Sequence, residues 1–156
     1  KDALEDVGAE MVFWKVRVKP GKPLAMGVIG GRPAFGLPGN PVSCLVNFLQ
    51  FVRPLIRRAL GDPRPFLPAV PATLSGNLTK RHGRAELVRV TLEWGESGLI
   101  AQPTGKQSSG WISSMARADG LLLLGIESTG AADGEQVRVQ VISPTFLSAA
   151  QPQYPW

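Results

Sequence analysis

The sequence has few of the residues that form disulfides and metal sites. It contains one cysteine, Cys44, and one histidine, His82, in 156 residues. A single cysteine excludes an internal disulfide and a zinc site built from several thiolates. His82 has no cysteine or second histidine beside it, so the sequence predicts no metal ligands in this chain. Cys44 lies beside an apolar helical pattern and is expected to be a small buried side chain.

Long apolar runs are also missing. No run approaches the roughly 18 residues that a membrane-spanning helix needs. The opening KDALEDVG is typical of a helix rather than of a secretory signal. We therefore expect a cytoplasmic protein that does not contact membranes. Because the chain begins at Lys1 without a methionine, we also expect it to be part of a longer protein.

Positive charge is concentrated in the first part of the chain. Residues 1–63 hold nine lysines and arginines against five acids, a net +4, and residues 64–156 hold eight against seven, a net +1. Such an excess attracts nucleic acid, anionic membranes or small phosphorylated ligands, and charge alone does not select among them. The second part is nearly neutral and its aromatic residues are not interleaved with cations, which argues against nucleic-acid binding.

The first segment alternates between strand and helix patterns. EMVFWKVRV, PLAMGVIGG and RPAFGL are typical of three strands, and NPVSCLVNFLQFVRPLIRRALG is typical of one long helix that ends at Gly61. Pro54 falls inside that helical pattern and lacks an N–H, so we expect a kink there. The pattern predicts an α/β domain over residues 1–63.

A proline-rich stretch separates this segment from a different pattern. Residues 61–71 contain four prolines, which disfavour both helix and sheet and mark a domain boundary. Beyond it, apolar residues alternate with polar ones, as in Val88, Val90 and Leu92. Several short strands of this kind predict a small all-β domain, a barrel or sandwich, over residues 64–146. Residues 147–156 lack periodicity and are expected to form a tail.

The stretch GLPGNPVS is the first candidate site. Asn40 is a favoured N-cap and Pro41 suits the first helical turn, while Gly39 lets the chain bend before them. The free N–H groups of this turn could bind an oxyanion, with Ser43 offering a hydroxyl. Alternatively, the Asn40 side chain accepts hydrogen bonds from these N–H groups itself and nothing binds.

The stretch FWKVRVKPGKP is the second candidate site. In one continuous strand, Lys15, Arg17 and Lys19 would share a face, and Lys22 would follow the Pro-Gly turn. Three cations on one face repel each other unless water or an anion covers them, so the face either is solvated or binds an anion. Strand ends that face helix starts are where α/β sheets bind ligands.

Three stretches together resemble a known family. VKPGKPLAMG, FGLPGNPVS and SSGWISSMARADGLLLL are similar to the C-terminal part of the MoeA-type molybdopterin molybdenumtransferases, a group that includes the gephyrin E domain. The resemblance covers nearly all of residues 1–146. It implies part of a MogA-like three-layer α/β domain followed by a small barrel-like β domain. Related MogA-type and MoaB-type domains lack the β domain and are a weaker match.

The resemblance also implies a reaction and its site. The family inserts molybdate into adenylylated molybdopterin and releases AMP, with a divalent cation, usually Mg²⁺. Its functional lysines match Lys15 and Lys19, an arginine matches Arg89, and a serine matches Ser109, although Ser108 replaces the glycine expected before it. The implied substrate-binding residues are Lys22, Pro38, Gly39, Asn40, Pro41, Ser43, Arg89 and Ser109. These substrates are anions, so fixed positive charge and backbone donors suit the chemistry.

The family has further parts that the resemblance places before Lys1. They are an SGGxSxG loop with an aspartate, where the Mg²⁺ ligands are expected, and two domains that help to form a homodimer. The resemblance therefore implies a segment with little activity alone, whose parent forms a homodimer and has a MogA-type partner. An alternative is a non-catalytic scaffold or protein-interaction module of the same family.

Overall fold

The computed structural model describes residues 1–105, 107, 108 and 110–146. Its first part is a short helix followed by a small antiparallel sheet. The strands of that sheet lie in the order β1-β3-β4, and Gly30 and Gly31, both with positive φ, turn the chain between the last two. The elements are α1 (Asp2–Asp6), β1 (Glu10–Trp14), β2 (Val18–Lys19), β3 (Ala25–Ile29) and β4 (Arg32–Gly36).

The predicted strand over residues 10–18 is wrong in its second half. β1 ends at Trp14 because Lys15 has a φ of 71°, in the left-handed region, and the chain leaves the extended conformation there. Side chains alternate only while the backbone is extended, so the three cations of this stretch do not share one strand face. β2 resumes for two residues and joins a different sheet.

The long predicted helix is present but interrupted. It runs as α2 (Pro41–Asn47), a π-helical turn (Phe48–Val52) and α3 (Arg53–Ala59). The wide turn comes directly before Pro54, whose ring would clash with the carbonyl four residues earlier in a regular helix. The irregularity expected at Pro54 is thus a π turn. Gly61, with a φ of 84°, follows the helix end as predicted.

The second part is a closed five-stranded barrel, which confirms the predicted class of an α/β part followed by a small β domain. The barrel order is β7-β8-β5-β11-β9, and β9 pairs back to β7. Val88, Val90 and Val139 are among the side chains that fill its interior. The elements are β5 (Ala69–Leu74), β6 (Leu78–Thr79), β7 (Ala85–Gly95), β8 (Gly98–Pro103), α4 (Ile112–Ala116), β9 (Gly120–Leu124), β10 (Gly130–Ala131) and β11 (Gln136–Val141).

A second apolar cluster joins the two parts. Val42 and Val46 of α2 are fully buried against the outer surface of the barrel, where they meet Leu87, Met115 and Leu121. Burying a valine side chain contributes about 1.5–3 kcal/mol. β2 also pairs in parallel with the start of β7. α2 and β2 therefore hold the first segment against the barrel. The domain boundary at residue 63 stays a prediction.

No helix within the described ranges is long and apolar enough to cross a membrane. α4 lies between β8 and β9 of the barrel. Its Met115 packs into the cluster between α2 and the barrel. The predicted tail, residues 147–156, lies outside the described residues.

Candidate functional site

A cavity of about 370 Å³ lies where the first segment meets the barrel. One side is the turn Lys19-Pro20-Gly21-Lys22-Pro23, which we call the lysine turn, and the cavity is called the lysine cavity. α2 and the barrel form the other sides. The polar residues that line it are Lys19, Lys22, Ser43, Arg84, Gln107 and Ser108.

The lysine turn has a buried centre and a charged rim. Pro20 and Gly21 are buried, whereas Lys22 is exposed. Gly21 has a φ of 121°, a conformation that favours glycine. Its carbonyl accepts a hydrogen bond from Asn47 Nδ2 at 2.9 Å. The turn thus holds its two lysines on either side of a fixed glycine.

Glu86 pairs with Lys19 and lies near Arg84. The parallel pairing of β2 and β7 places Lys19 opposite Glu86, and Lys19 Nζ donates to both carboxylate oxygens, at 3.1 and 3.2 Å. Arg84 Nε lies 3.9 Å from the same carboxylate. Three cations, Lys19, Lys22 and Arg84, and one carboxylate leave a net charge of +2 on these four side chains. The cavity is therefore electropositive.

The barrel side of the cavity is held by Arg89 and Gln107. The Gln107 side chain accepts from the Arg89 N–H at 2.9 Å and donates to the Arg89 carbonyl at 3.1 Å. Arg89 Nη2 donates to the Ser108 carbonyl at 3.1 Å. The Arg89 side chain is fully buried, and this burial lowers its pKa. Arg89 thus lies behind the cavity, where it supports Gln107 and Ser108.

A second cavity of about 330 Å³ adjoins the first and shares Lys19 and Arg84 with it. Lys80 and Arg81 also line this second cavity. Lys80 Nζ donates to the carbonyl of Arg84 at 2.9 Å, which fixes its position. Positive side chains therefore extend from the lysine turn onto the barrel.

The structure brings together some of the predicted site residues. Lys19, Lys22 and Ser43 line the lysine cavity. Lys15 does not line it; its Nζ lies 5.4 Å from the centroid of the Trp14 ring, a cation–π contact. Ser109 lies outside the described residues. The remaining predicted residues of the GLPGNP bend, Pro38, Gly39, Asn40 and Pro41, are also not in its lining.

Asn40 begins the helix without capping it through its side chain. Its backbone carbonyl accepts from the Cys44 N–H at 2.8 Å, but its side chain makes no capping hydrogen bond. Its Oδ1 is buried and has no hydrogen-bond partner among the described residues. The alternative in which this side chain accepts from the first-turn N–H groups is therefore wrong.

Sequence reasoning missed Asn47, Arg84, Glu86 and Gln107. Two signals were present. TKRHGRAE contains four basic residues beside one glutamate, and Asn47 is a polar residue four positions after Ser43 within an apolar helix. Gln107 gave no signal, because its partners lie 18 residues away along the chain.

The described residues do not form a site for Mg²⁺. Among them, no group of three or more histidine, cysteine, aspartate or glutamate side chains could hold a metal ion. Glu86 lies beside the cavities, but both of its oxygens accept from Lys19. The side chains around the lysine cavity therefore do not fit a bound Mg²⁺ ion.

Two family models match the chain in succession. Residues 1–58 match the family described as "Probable molybdopterin binding domain", and residues 71–142 match the MoeA C-terminal region, domain IV. The lysine turn lies in the first match, and Arg84, Gln107 and Ser108 lie in the second. The lysine cavity is thus built from both.

Curated relatives are similar over most of this chain. A molybdopterin molybdenumtransferase of Haemophilus influenzae is 38% identical over 145 residues, which are 90% of this chain and 35% of the relative. Molybdopterin molybdenumtransferase 2 of Mycobacterium tuberculosis is 37% identical over 134 residues, 86% of this chain and 32% of the relative. This chain spans about a third of the length of these relatives.

A solved structure of a MoeA protein is also similar to this chain. The molybdopterin biosynthesis MoeA protein from Pyrococcus horikosii matches with a TM-score of 0.74 and 35% identity, over 90% of this chain and 34% of that one. The order of the two matched regions, the identities and the shared fold agree. The chain therefore combines, in order, a match to a probable molybdopterin-binding domain and a match to the MoeA C-terminal region, domain IV, and it is similar to about a third of the length of molybdopterin molybdenumtransferases.

Proposed function

We propose that the lysine cavity binds the oxyanion groups of the substrates of molybdenum insertion. In this proposal the longer protein inserts molybdate into adenylylated molybdopterin and releases AMP. The names of the curated relatives support the reaction class. The observation that supports the site is the convergence of Lys19, Lys22 and Arg84 on one cavity.

The charge of the cavity suits a dianion such as molybdate. Lys19 is held by two hydrogen bonds to Glu86, so its position is set before an anion arrives, and Arg84 lies 3.9 Å from the same carboxylate. Lys22 makes no ion pair with a described residue and can neutralise an incoming oxyanion directly. Donors that are already in place stabilise developing negative charge without reorganisation. Ser43 adds a hydroxyl beside them.

The roles of the individual residues follow from these positions. We propose that Lys19 and Lys22 bind the oxyanion and that Arg89 supports the barrel side of the cavity. The proposed catalytic role of Lys15 and the binding roles of Pro38, Gly39, Asn40, Pro41 and Ser109 rest on the family resemblance. So do a homodimer of the longer protein, a MogA-type partner and a requirement for Mg²⁺.

Titration of this chain with sodium molybdate tests the site. We expect Lys22→Ala to weaken binding about tenfold, which corresponds to about 1.4 kcal/mol, because it removes an exposed cation from the cavity rim. Arg32→Ala is the control, since Arg32 is exposed on β4 and also removes one positive charge. Isothermal titration calorimetry gives both constants. Equal weakening by the two variants would assign the effect to net charge and contradict the proposed site.

A scaffold role is the second candidate function. A groove of about 730 Å³ beside α3 is lined by Phe51, Pro54, Leu55 and Phe66 among others, and Phe66 is 70% exposed. Exposed apolar surface of this kind favours protein contact. An assay of molybdate insertion by the longer protein separates the two functions, because a longer protein without this activity would favour the scaffold. A Lys15→Ala and Lys19→Ala double variant that keeps full activity would count against the assignment of these lysines to the reaction.

A further inference from the structure

Asn47 is a buried polar side chain whose amide group contacts the lysine turn. It is fully buried in the last turn of α2, four residues after Ser43, so the two side chains lie on one helix face. Its Nδ2 donates to the Gly21 carbonyl at 2.9 Å. Its Oδ1 is also buried and has no hydrogen-bond partner in the part of the chain that the structure describes.

The Asn47 amide lies so close to Gly21 that no side chain fits between them. A Cβ added at Gly21 would lie 2.2 Å from Asn47 Oδ1, so a larger residue could not occupy this position without displacing the amide. The φ of 121° at Gly21 adds a second restriction. The amide and the glycine therefore fit each other, and the lysine turn approaches α2 closely here.

Packing alone does not account for an asparagine at this position. A buried amide costs free energy unless its polar atoms are satisfied, and only one side of this amide has a partner among the described residues. The neighbouring buried positions Val42 and Val46 are apolar. An apolar residue at position 47 would avoid this cost but would remove the hydrogen bond to the Gly21 carbonyl.

We propose that Asn47 is a positioning residue for the lysine turn. Through its hydrogen bond to the Gly21 carbonyl it sets where Lys19 and Lys22 stand, and thereby the affinity of the lysine cavity for oxyanions. The inference deepens the proposed function and, in its statement about affinity, rests on it. Asn47 acts through the turn and does not touch the anion.

The experiment compares Asn47→Ala with Val46→Ala in this chain. Both remove a fully buried side chain from the same helix, but Val46 packs in the apolar cluster against the barrel. Calorimetry with sodium molybdate gives the affinity, and amide hydrogen exchange of residues 19–24 reports the order of the turn. We expect Asn47→Ala to weaken binding at least fivefold and to speed exchange at least tenfold. Val46→Ala should change both less than twofold.

A double-mutant cycle keeps the inference testable if one variant is unstable. Gly21→Ala should weaken binding by itself, because its Cβ displaces the amide. In the Asn47→Ala background the same change should cost less, since the clash is gone and only the backbone strain is left. Additive effects of the two changes would overturn the inference.

The two proposals fail in different ways. Absence of molybdate binding by the unmodified chain would overturn the proposed function and the link from Asn47 to affinity. Unchanged exchange of residues 19–24 in Asn47→Ala would overturn the positioning role itself. Equal effects of Asn47→Ala and Val46→Ala on binding and exchange would also overturn it, because they would reflect lost stability of α2.

Discussion

Two carboxamide side chains hold the opposite sides of the lysine cavity. Asn47 donates to the Gly21 carbonyl on the side of the lysine turn. Gln107 exchanges two hydrogen bonds with the Arg89 backbone on the side of the barrel. Each carboxamide is neutral and fixes a backbone segment near cationic side chains. Neither therefore adds a negative charge that would compete with an anion for these cations.

Gln107→Ala is expected to loosen the barrel side of the cavity. The variant loses both hydrogen bonds to Arg89, each with a net contribution of about 1 kcal/mol, so the free energy of unfolding should fall by about 1–2 kcal/mol and molybdate binding should weaken several-fold. Gln107→Glu keeps the acceptor for the Arg89 N–H. Its stability and its molybdate affinity should therefore lie between those of the parent chain and those of Gln107→Ala. Urea unfolding and calorimetry measure these changes. A Gln107→Ala chain as stable as the parent would contradict this role.

The sequence predicted the lysines of this site better than the residues that position them. Lys19, Lys22 and Ser43 lie in stretches whose glycines and prolines mark turns and helix starts, and such signals are local. Asn47 and Gln107 act on partners 26 and 18 residues away. No local pattern reports a contact of that kind. The sequence marks Asn47 only as a polar residue within an apolar helix, and the partners of both side chains are visible only in the folded chain.

The elements were predicted where their patterns were regular. α2 begins at Pro41 as expected, and the alternating apolar residues of β7 and β11 face the barrel interior. The strand from residue 10 failed at Lys15, because one residue with positive φ ends an extended run and leaves no mark in an alternating sequence. The cations of that stretch were therefore assigned to a face that does not exist.

The link between α3 and the barrel is expected to depend on pH through Asp62. The Arg64 N–H donates to Asp62 Oδ1 at 2.8 Å, and Arg57 pairs with the same carboxylate. The Arg64 N–H first, and then Arg57, hold the pKa of Asp62 below its usual value of 3.8. A lowered pKa means that the carboxylate stabilises the folded link above pH 3.8 and that this contribution is lost as pH falls through the folded value.

Hydrogen exchange of residues 61–66 measures this effect. Below pH 3.8 the protection of these amides, corrected for the intrinsic pH dependence of exchange, should fall in the parent chain. Asp62→Asn keeps the shape of the side chain but not its charge, so its protection should be lower at pH 7 and should not change further in acid. A parent chain with constant protection down to pH 2 would rule out this role for Asp62.

The apolar cluster between α2 and the barrel makes the two parts of the chain depend on each other. Val42→Ala removes two fully buried methyl groups from it, and we expect a loss of about 2 kcal/mol in the free energy of unfolding. Urea unfolding followed by far-ultraviolet circular dichroism measures it. A barrel that unfolds at the same urea concentration in both proteins would show that the parts are independent.

The pairing of Lys19 with Glu86 has a thermodynamic consequence for the whole chain. Lys19 belongs to the first part of the chain and Glu86 to the barrel. Separation of the two parts would therefore break this ion pair. An oxyanion that contacts Lys22 on one part and Arg84 on the other acts as a bridge between them. Ligand occupancy and the docked arrangement are then linked equilibria, and each favours the other.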